Sequence, residues 1–252
     1  MQDLSDYLWP DARMGRQPQG AVGIDWSNPL TKWLCAAINI HGEHVFKSLP
    51  VFGSGISTAV DGNGEKYLFS GTQSSASCTV NNAFTRGALS GAVGLTVSAR
   101  FVVTDLSAER CIVAVYSNSP ETGQFIFTVS SSGRVVFGPA QNASNVFFRQ
   151  TNAGDITTGK AYHVVCTWSA LENSCYCWIN GVRQASAMAD AYTIGAVSYI
   201  NTAATKPLTL GTYANGGSPF IGGVSDIDIW ATRLSDSAVS RIFGNPWQIF
   251  AP

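Results

Sequence analysis

The chain has 252 residues, 45% of them hydrophobic, with seven Trp, only 12% charged residues and a formal net charge of -1. That is enough apolar material for a real core in one large all-β domain or two small ones. No Lys/Arg-rich stripe exists to neutralise phosphates, and no segment has the length of a membrane helix, so neither nucleic acid nor a membrane is an expected partner. A surface solvated by Ser, Thr, Asn and Gly resists association less than a charged one does, which favours oligomerisation or burial in an assembly.

In chain order, "MQDLSDYLWPDARMGRQPQG" lacks a basic stretch followed by an apolar run, so export through a secretory signal is not expected. Residues 1–22, with Pro10 and Pro18 and no apolar periodicity, read as an extended arm whose sticky point is Leu8 and Trp9. "GIDWSNPLTKWL" (23–34) then brings Trp26 and Trp33 around an Asn-Pro pair. In "HGEH", His41 and His44 stand at i, i+3 outside any helix with no third ligand nearby, which reads as a surface loop rather than a zinc site. "DGNGEKY" (61–67) has a calcium-loop composition without the calcium-loop order, and Asp-Gly and Asn-Gly are turn formers first. No metal and no cofactor is expected.

From residue 95 onward period-two alternation dominates. "LTVSARFVV" places Leu95, Val97, Ala99, Phe101 and Val103 on one face; "QFIFTVSSSGRVVF" reads as two strands around a Ser-Ser-Ser-Gly turn, with Phe125, Phe127 and Val129 facing one way. "YHVVCTWS" aligns Tyr162, Val164, Cys166 and Trp168, leaving His163 toward solvent. Asn180-Gly181 in "CYCWINGVRQ" is a type I′ hairpin signal, because both residues accept positive φ. "KPLTLGTY" and "GGVSDIDIW" follow, the latter with Ile227 and Ile229 inward and Asp226 and Asp228 outward. "LSDSAVSRIFGNP" offers Ser235 as N-cap, Ala238, Val239, Ile242 and Phe243 on one face and Gly244 as the C′ residue of a short helix. The end, "FGNPWQIFAP", carries Trp247, Ile249 and Phe250, side chains that need a cover. Six cysteines without a CxxC spacing, several in apolar strand-like runs, read as buried reduced thiols.

Taken together, "KYLFSGTQSSASCTV", "GLTVSARFVV", "AYHVVCTWSA", "CYCWINGVRQ", "KPLTLGT" and "PFIGGVSDIDIWATRLSDSAVSRIF" resemble, in order, the laminin-G-like, concanavalin A-like jelly roll. Two positions depart from that pattern. Tyr162 stands where the family often has Trp, and Ala238 stands where it often has the Glu of a capping box. The resemblance implies an all-β antiparallel sandwich over residues 23–244, preceded by the 1–22 arm and followed by an apolar 245–252 tail. The framing segments "GIDWSNPLTKWL" and "NPWQIFAP" are similar to the ends of laminin-G-like proteins encoded among tailed-bacteriophage and prophage structural genes. That likeness implies a virion component assembled in a bacterial cytoplasm.

The jelly roll hosts lectins, glycanases and plain structural modules, so fold alone does not choose among them. Retaining glycanase chemistry needs two carboxylates about 5–5.5 Å apart on one strand face. In "SDIDIW" the third position of that face is Trp230, so the catalytic pattern is incomplete and no enzyme is expected. The expected function is a non-enzymatic virion structural protein, a capsid decoration, head-fibre or tail-associated subunit. Leu8, Trp9, Trp26, Trp247, Ile249 and Phe250 would dock it on other virion proteins, and the resemblance favours a homo-oligomer, a trimer first. The alternative is a lectin-like module for host surface glycan, using Tyr213 and Asn215 in the loop "GTYANGGSPF"; a glycanase is the remote third reading.

Overall fold

The alternating segments pair into two stacked antiparallel sheets. The structure is a computed structural model and describes residues 23–39, 51–52, 56–61, 64–70, 78–80, 87–118, 121–184, 188–245 and 248–251. The strands are β1 (Gly23–Ile24), β2 (Leu34–Asn39), β3 (Val51–Phe52), β4 (Ile56–Asp61), β5 (Gly64–Ser70), β6 (Cys78–Val80), β7 (Gly94–Val103), β8 (Arg110–Asn118) and β9 (Glu121–Val129). They continue as β10 (Val135–Asn142), β11 (Asn145–Gln150), β12 (Ala161–Ser169), β13 (Ser174–Ile179), β14 (Val182–Arg183), β15 (Ala189–Ile194), β16 (Leu208–Leu210), β17 (Ile221–Trp230) and β18 (Phe250–Ala251).

The first sheet runs β15-β11-β10-β9-β8-β16-β6-β3, and the second runs β14-β13-β12-β7-β17-β5-β4. The long strand β17 holds β7 along one edge, while β5 and β2 share the other. Leu95, Val97, Ala99, Phe101 and Val103 of β7, Phe125, Phe127 and Val129 of β9, and Tyr162, Val164, Cys166 and Trp168 of β12 all enter one buried core between the sheets. The period of two places every second side chain on the inner face, and the sequence supplies apolar groups at those positions. Asn180 and Gly181 adopt φ of 50° and 82°, as the hairpin between β13 and β14 requires. The described thiols Cys35, Cys111, Cys166, Cys175 and Cys177 are buried and form no disulfide, and burial pushes Cys35 up to about 12.

The outer face of the second sheet differs from its sequence reading. Asp226 and Asp228 do point away from Ile227 and Ile229, but each is only 1% exposed, and His163 is fully buried. The cover is a second apolar cluster. Leu30, Leu34, Ala37, Val165, Trp178 and Trp230 meet Ala238, Val239 and Ile242 of the helix Asp236–Gly244, and Ile249 of the tail. Trp230 Nε1 donates to Leu30 O at 2.7 Å, and the Phe243 ring lies 4.4 Å from the His163 ring. A period-two pattern assigns a residue to a face but does not say what will cover that face.

The helix begins as its sequence implies, with the Ser235 hydroxyl accepting from Ala238 N. Its end lies two residues further on than the sequence implies: Gly244 is the last helical residue and Asn245 the C-cap, with φ -153° and ψ 92°. The extended cap sends the chain straight on rather than into a left-handed turn, and β18 then pairs with β1, Ile24 opposite Phe250. Asp25 N donates to Ile249 O and Asn28 Nδ2 to Gln248 O, which locks the tail to the segment after β1. Among the described residues no helix is long and apolar enough to cross a membrane.

Candidate functional site

The outer face of the first sheet is apolar where the pattern would allow polar residues. Cys111, Ala114, Tyr116, Ile126, Val136, Ala140, Val146 and Phe148 project there from β8, β9, β10 and β11 and form a third cluster, completed by Tyr213. A depression of about 480 Å³ opens above it, walled by Glu109, Tyr116, Phe148, Gln150, Tyr192 and Tyr213. That volume falls in the range of small-molecule sites.

Three aromatic contacts shape it. Tyr116 meets Phe148 edge-on at 5.5 Å and Tyr213 at 5.4 Å, and Phe148 lies 6.4 Å from Tyr192. The last pair follows from strand register, since Phe148 and Tyr192 are directly opposite across β11 and β15. Tyr192 is 44% exposed, whereas Tyr116, Phe148 and Tyr213 are buried. The exposed ring rises at one wall above a floor that is almost dry.

The opposite wall is the loop 211–220, pinned to β8 by backbone hydrogen bonds. Gly211 N donates to Ile112 O, Ala214 N to Tyr116 O and Cys111 N to Ser218 O, while Phe220 N to Gly211 O closes the loop on itself. Gly211 is required here: its φ is +73°, and a Cβ would sit 2.4 Å from the Phe69 ring. Arg110 donates to Pro219 O and to Asp105, tying the end of the loop to the turn before β8. Glu109 sits at this junction. Its Oε1 accepts from Tyr213 Oη at 2.8 Å and from Ser218 Oγ at 2.9 Å. Burial first, then the Glu109 charge, raises the Tyr213 phenol well above its ordinary value, so the hydroxyl keeps its proton and remains a donor.

The residues singled out in the sequence divide as follows. Tyr213 lines the depression but is only 4% exposed, so it presents an edge and a hydroxyl anchor rather than a face for a ligand to stack on. Asn215 is exposed at the tip of the same loop, outside the wall, and accepts from Gly217 N. Tyr192, Phe148, Tyr116 and Glu109 were not singled out. "VFFRQ" and "CIVAVYS" carry Phe148 and Tyr116 in strand-like runs, but no local signal tells which outer-face aromatics stay uncovered. Ile249 is buried in the tail cluster, Trp26 is 62% exposed and Trp33 61% exposed. Leu8, Trp9 and Trp247 lie outside the described residues, as does the "HGEH" segment, and of Phe250 only the backbone pairing is described.

The buried polar cluster on the second sheet is the other site the sequence raised. Arg100 lies between two partners, opposite Asp226 on β17 and opposite His163 on β12, and His163 Nε2 is 2.9 Å from Ser98 Oγ. Burial pushes Asp226 up to about 7 against the pull of Arg100, and pushes Asp228 well up, with the Asp226 charge adding to the rise. Burial, then Arg100, holds His163 well below its ordinary value. Two carboxyls 1% exposed beneath a helix offer no open face to a polysaccharide.

Two stacked antiparallel sheets closed by a terminal helix define the chain as a jelly-roll β-sandwich. The family profile Laminin_G_3, of the concanavalin A-like lectin/glucanases superfamily, matches residues 70–240, and the chain belongs to that family. Among solved structures it is similar to the binding domain of Paraclostridial Mosquitocidal Protein 1, with TM-score 0.63 and 15% identity over 85% of this chain and 52% of that one. It is also similar to the Botulinum Neurotoxin Type G receptor binding domain, with TM-score 0.58 and 10% identity over 83% and 50%. A third is the Ruminococcus gnavus IT-sialidase CBM40 bound to α2,3-sialyllactose, with TM-score 0.53 and 13% identity over 78% and 98%. The chain spans about half the length of the two toxin binding domains. At these identities the likeness is one of fold. No curated protein matches the chain.

Proposed function

We propose that the protein is a lectin-like carbohydrate-binding module whose site is the depression on the outer face of the first sheet. The observation that carries this reading is the exposed Tyr192 ring standing above a floor of Tyr116 and Phe148, opposite the anchored Glu109 carboxylate. A pyranose has an apolar face that packs on an aromatic ring and hydroxyls that need partners, and this wall pair supplies both. The fold's likeness to toxin binding domains and to a carbohydrate-binding module bound to sialyllactose supports the same direction. A binding screen against oligosaccharides, repeated with Tyr192→Ala, tests it. Saturable binding lost in the variant is expected, and binding unaffected by Tyr192→Ala would overturn the placement of the site.

A second reading is favoured by Trp26 and Trp33, two large exposed aromatic side chains in the segment that the tail is locked to. In it the protein is a bacteriophage virion subunit, on the head or the tail. The terminal segments then dock on other virion proteins, and a glycan site on the same subunit would serve host recognition. Addition of the purified protein to particles lacking it, with light scattering for a trimer, tests that role. Failure to bind at stoichiometric copy number would remove it.

A further inference from the structure

We infer that the depression selects neutral, hydroxyl-rich sugars and discriminates against sialic acid and other anionic glycans; this rests on the carbohydrate-binding reading above. Glu109 is the only charged residue among the described residues that line it. A carboxylate has about four acceptor positions. Both donors it takes from described residues, Tyr213 Oη and Ser218 Oγ, go to the one oxygen Oε1. Its Oε2 accepts from no described residue and is the group a ligand hydroxyl would reach, in a charge-assisted hydrogen bond of the stronger kind.

Three of the other polar side chains of the wall are already engaged, and the exposed Tyr192 hydroxyl remains as a neutral donor or acceptor. The Tyr213 hydroxyl proton is held by Glu109, Gln150 Nε2 donates to Asp190 O at 2.9 Å, and Ser130 Oγ accepts from Arg134 N and bonds Ser132 Oγ. The only charge that the described lining offers is an acceptor, and its complement is a donor-rich ligand such as a sugar with adjacent hydroxyls. The nearest guanidinium along the wall strand belongs to Arg149, which stands over the Phe147 ring at 3.9 Å and pairs with Asp190. Phe147 is a residue of the inner core, so Arg149 is turned from the face that carries Phe148 and Gln150. A sialic acid carboxylate entering this depression would meet Glu109 with no cation among the described lining residues to offset the repulsion, and like charges in a half-dry site disfavour each other strongly.

The test is isothermal titration of the full chain with lactose, cellobiose and mannobiose against 3′-sialyllactose, at low and at physiological salt. At least one neutral disaccharide is expected to bind at least tenfold more tightly than 3′-sialyllactose, with the gap narrowing as salt rises. Glu109→Gln is expected to weaken the neutral sugar tenfold or more and to shrink the discrimination; the comparison in the unmodified chain needs no variant, should that one fold poorly. Binding of 3′-sialyllactose as tight as that of every neutral probe, lost with Tyr192→Ala, would overturn this inference while leaving the carbohydrate-binding reading intact. Binding of none of these sugars would overturn both.

Discussion

The outer faces of the two sheets start from the same rule and end differently. On the first sheet the outer residues are aromatic and aliphatic, and a loop from the same sheet leaves a depression open above them. On the second they include Asp226, Asp228, Arg100 and His163, yet that face is sealed by the helix Asp236–Gly244 and Ile249. The apolar face is thus the accessible one and the charged face the hidden one, the reverse of a solubility argument. An open apolar face with an exposed ring is how a ligand site looks. A covered charged face is a structural junction, in which each buried charge depends on its neighbours.

The contrast breaks most sharply at Trp230. Its side chain is fully buried and its indole donates to Leu30 O, so Trp230→Ala removes both packing and a hydrogen bond that ties the segment after β1 to the sheet. A loss of about 3–5 kcal/mol is expected in urea unfolding. A loss below about 1 kcal/mol would mean the sealed face contributes little.

The charged junction also predicts a pH signature. Asp226 has a folded value of about 7 against an ordinary 3.8, so between these limits the folded state keeps a proton the unfolded state has released. The stability it contributes is full below the lower limit and is lost as pH rises through about 7. His163 works in the opposite sense: held below its ordinary 6.5, it leaves the unfolded state to take the proton first, so stability falls as pH drops below that value. Asp226→Asn removes the first dependence together with the part of the Asp228 rise that the Asp226 charge supplies, and the variant should gain on the unmodified protein from pH 5 to about pH 7 and level off above it. Urea midpoints that keep a constant difference across that window would contradict the buried carboxyl.

On the open face the expected stability effects are smaller and the binding effects larger. Tyr213→Phe deletes the hydrogen bond to a half-buried carboxylate, which should cost about 1 kcal/mol in thermal or urea unfolding. It also frees Glu109 to move, so sugar affinity should fall several-fold. Tyr192→Ala lies at the bottom of the stability scale, with a loss of at most about 1 kcal/mol, because the residue is 44% exposed and its ring meets Phe148 alone among the described aromatic rings. A large change in melting temperature from Tyr192→Ala would make that ring a structural element rather than a ligand wall.

Most of the fold was legible in the chain. The inner faces of β7, β9 and β12, the Asn180-Gly181 hairpin and the Ser235 cap are local or period-two signals, and each is realised. The outer faces were legible only as positions. His163, Asp226 and Asp228 were assigned to solvent because alternation separates two faces without saying which will meet water. Gly244 was assigned outside the helix because a glycine near a helix end usually leaves it through positive φ, whereas here the exit is the extended Asn245, drawn toward the pairing of β18 with β1.

The sequence by itself determined the period, the turns and the family, since these depend on each residue's own conformational preference and on which neighbours two positions away share its face. Tertiary structure alone decided that Tyr192 is exposed while Tyr213 is anchored, and that Glu109 turns one carboxylate oxygen to the loop. Those outcomes join residues up to 109 positions apart, as in the contact between Ser218 and Glu109. No local pattern carries such a contact, because it exists only once the loop 211–220 has been laid across β8 and the two strands β11 and β15 have found their register.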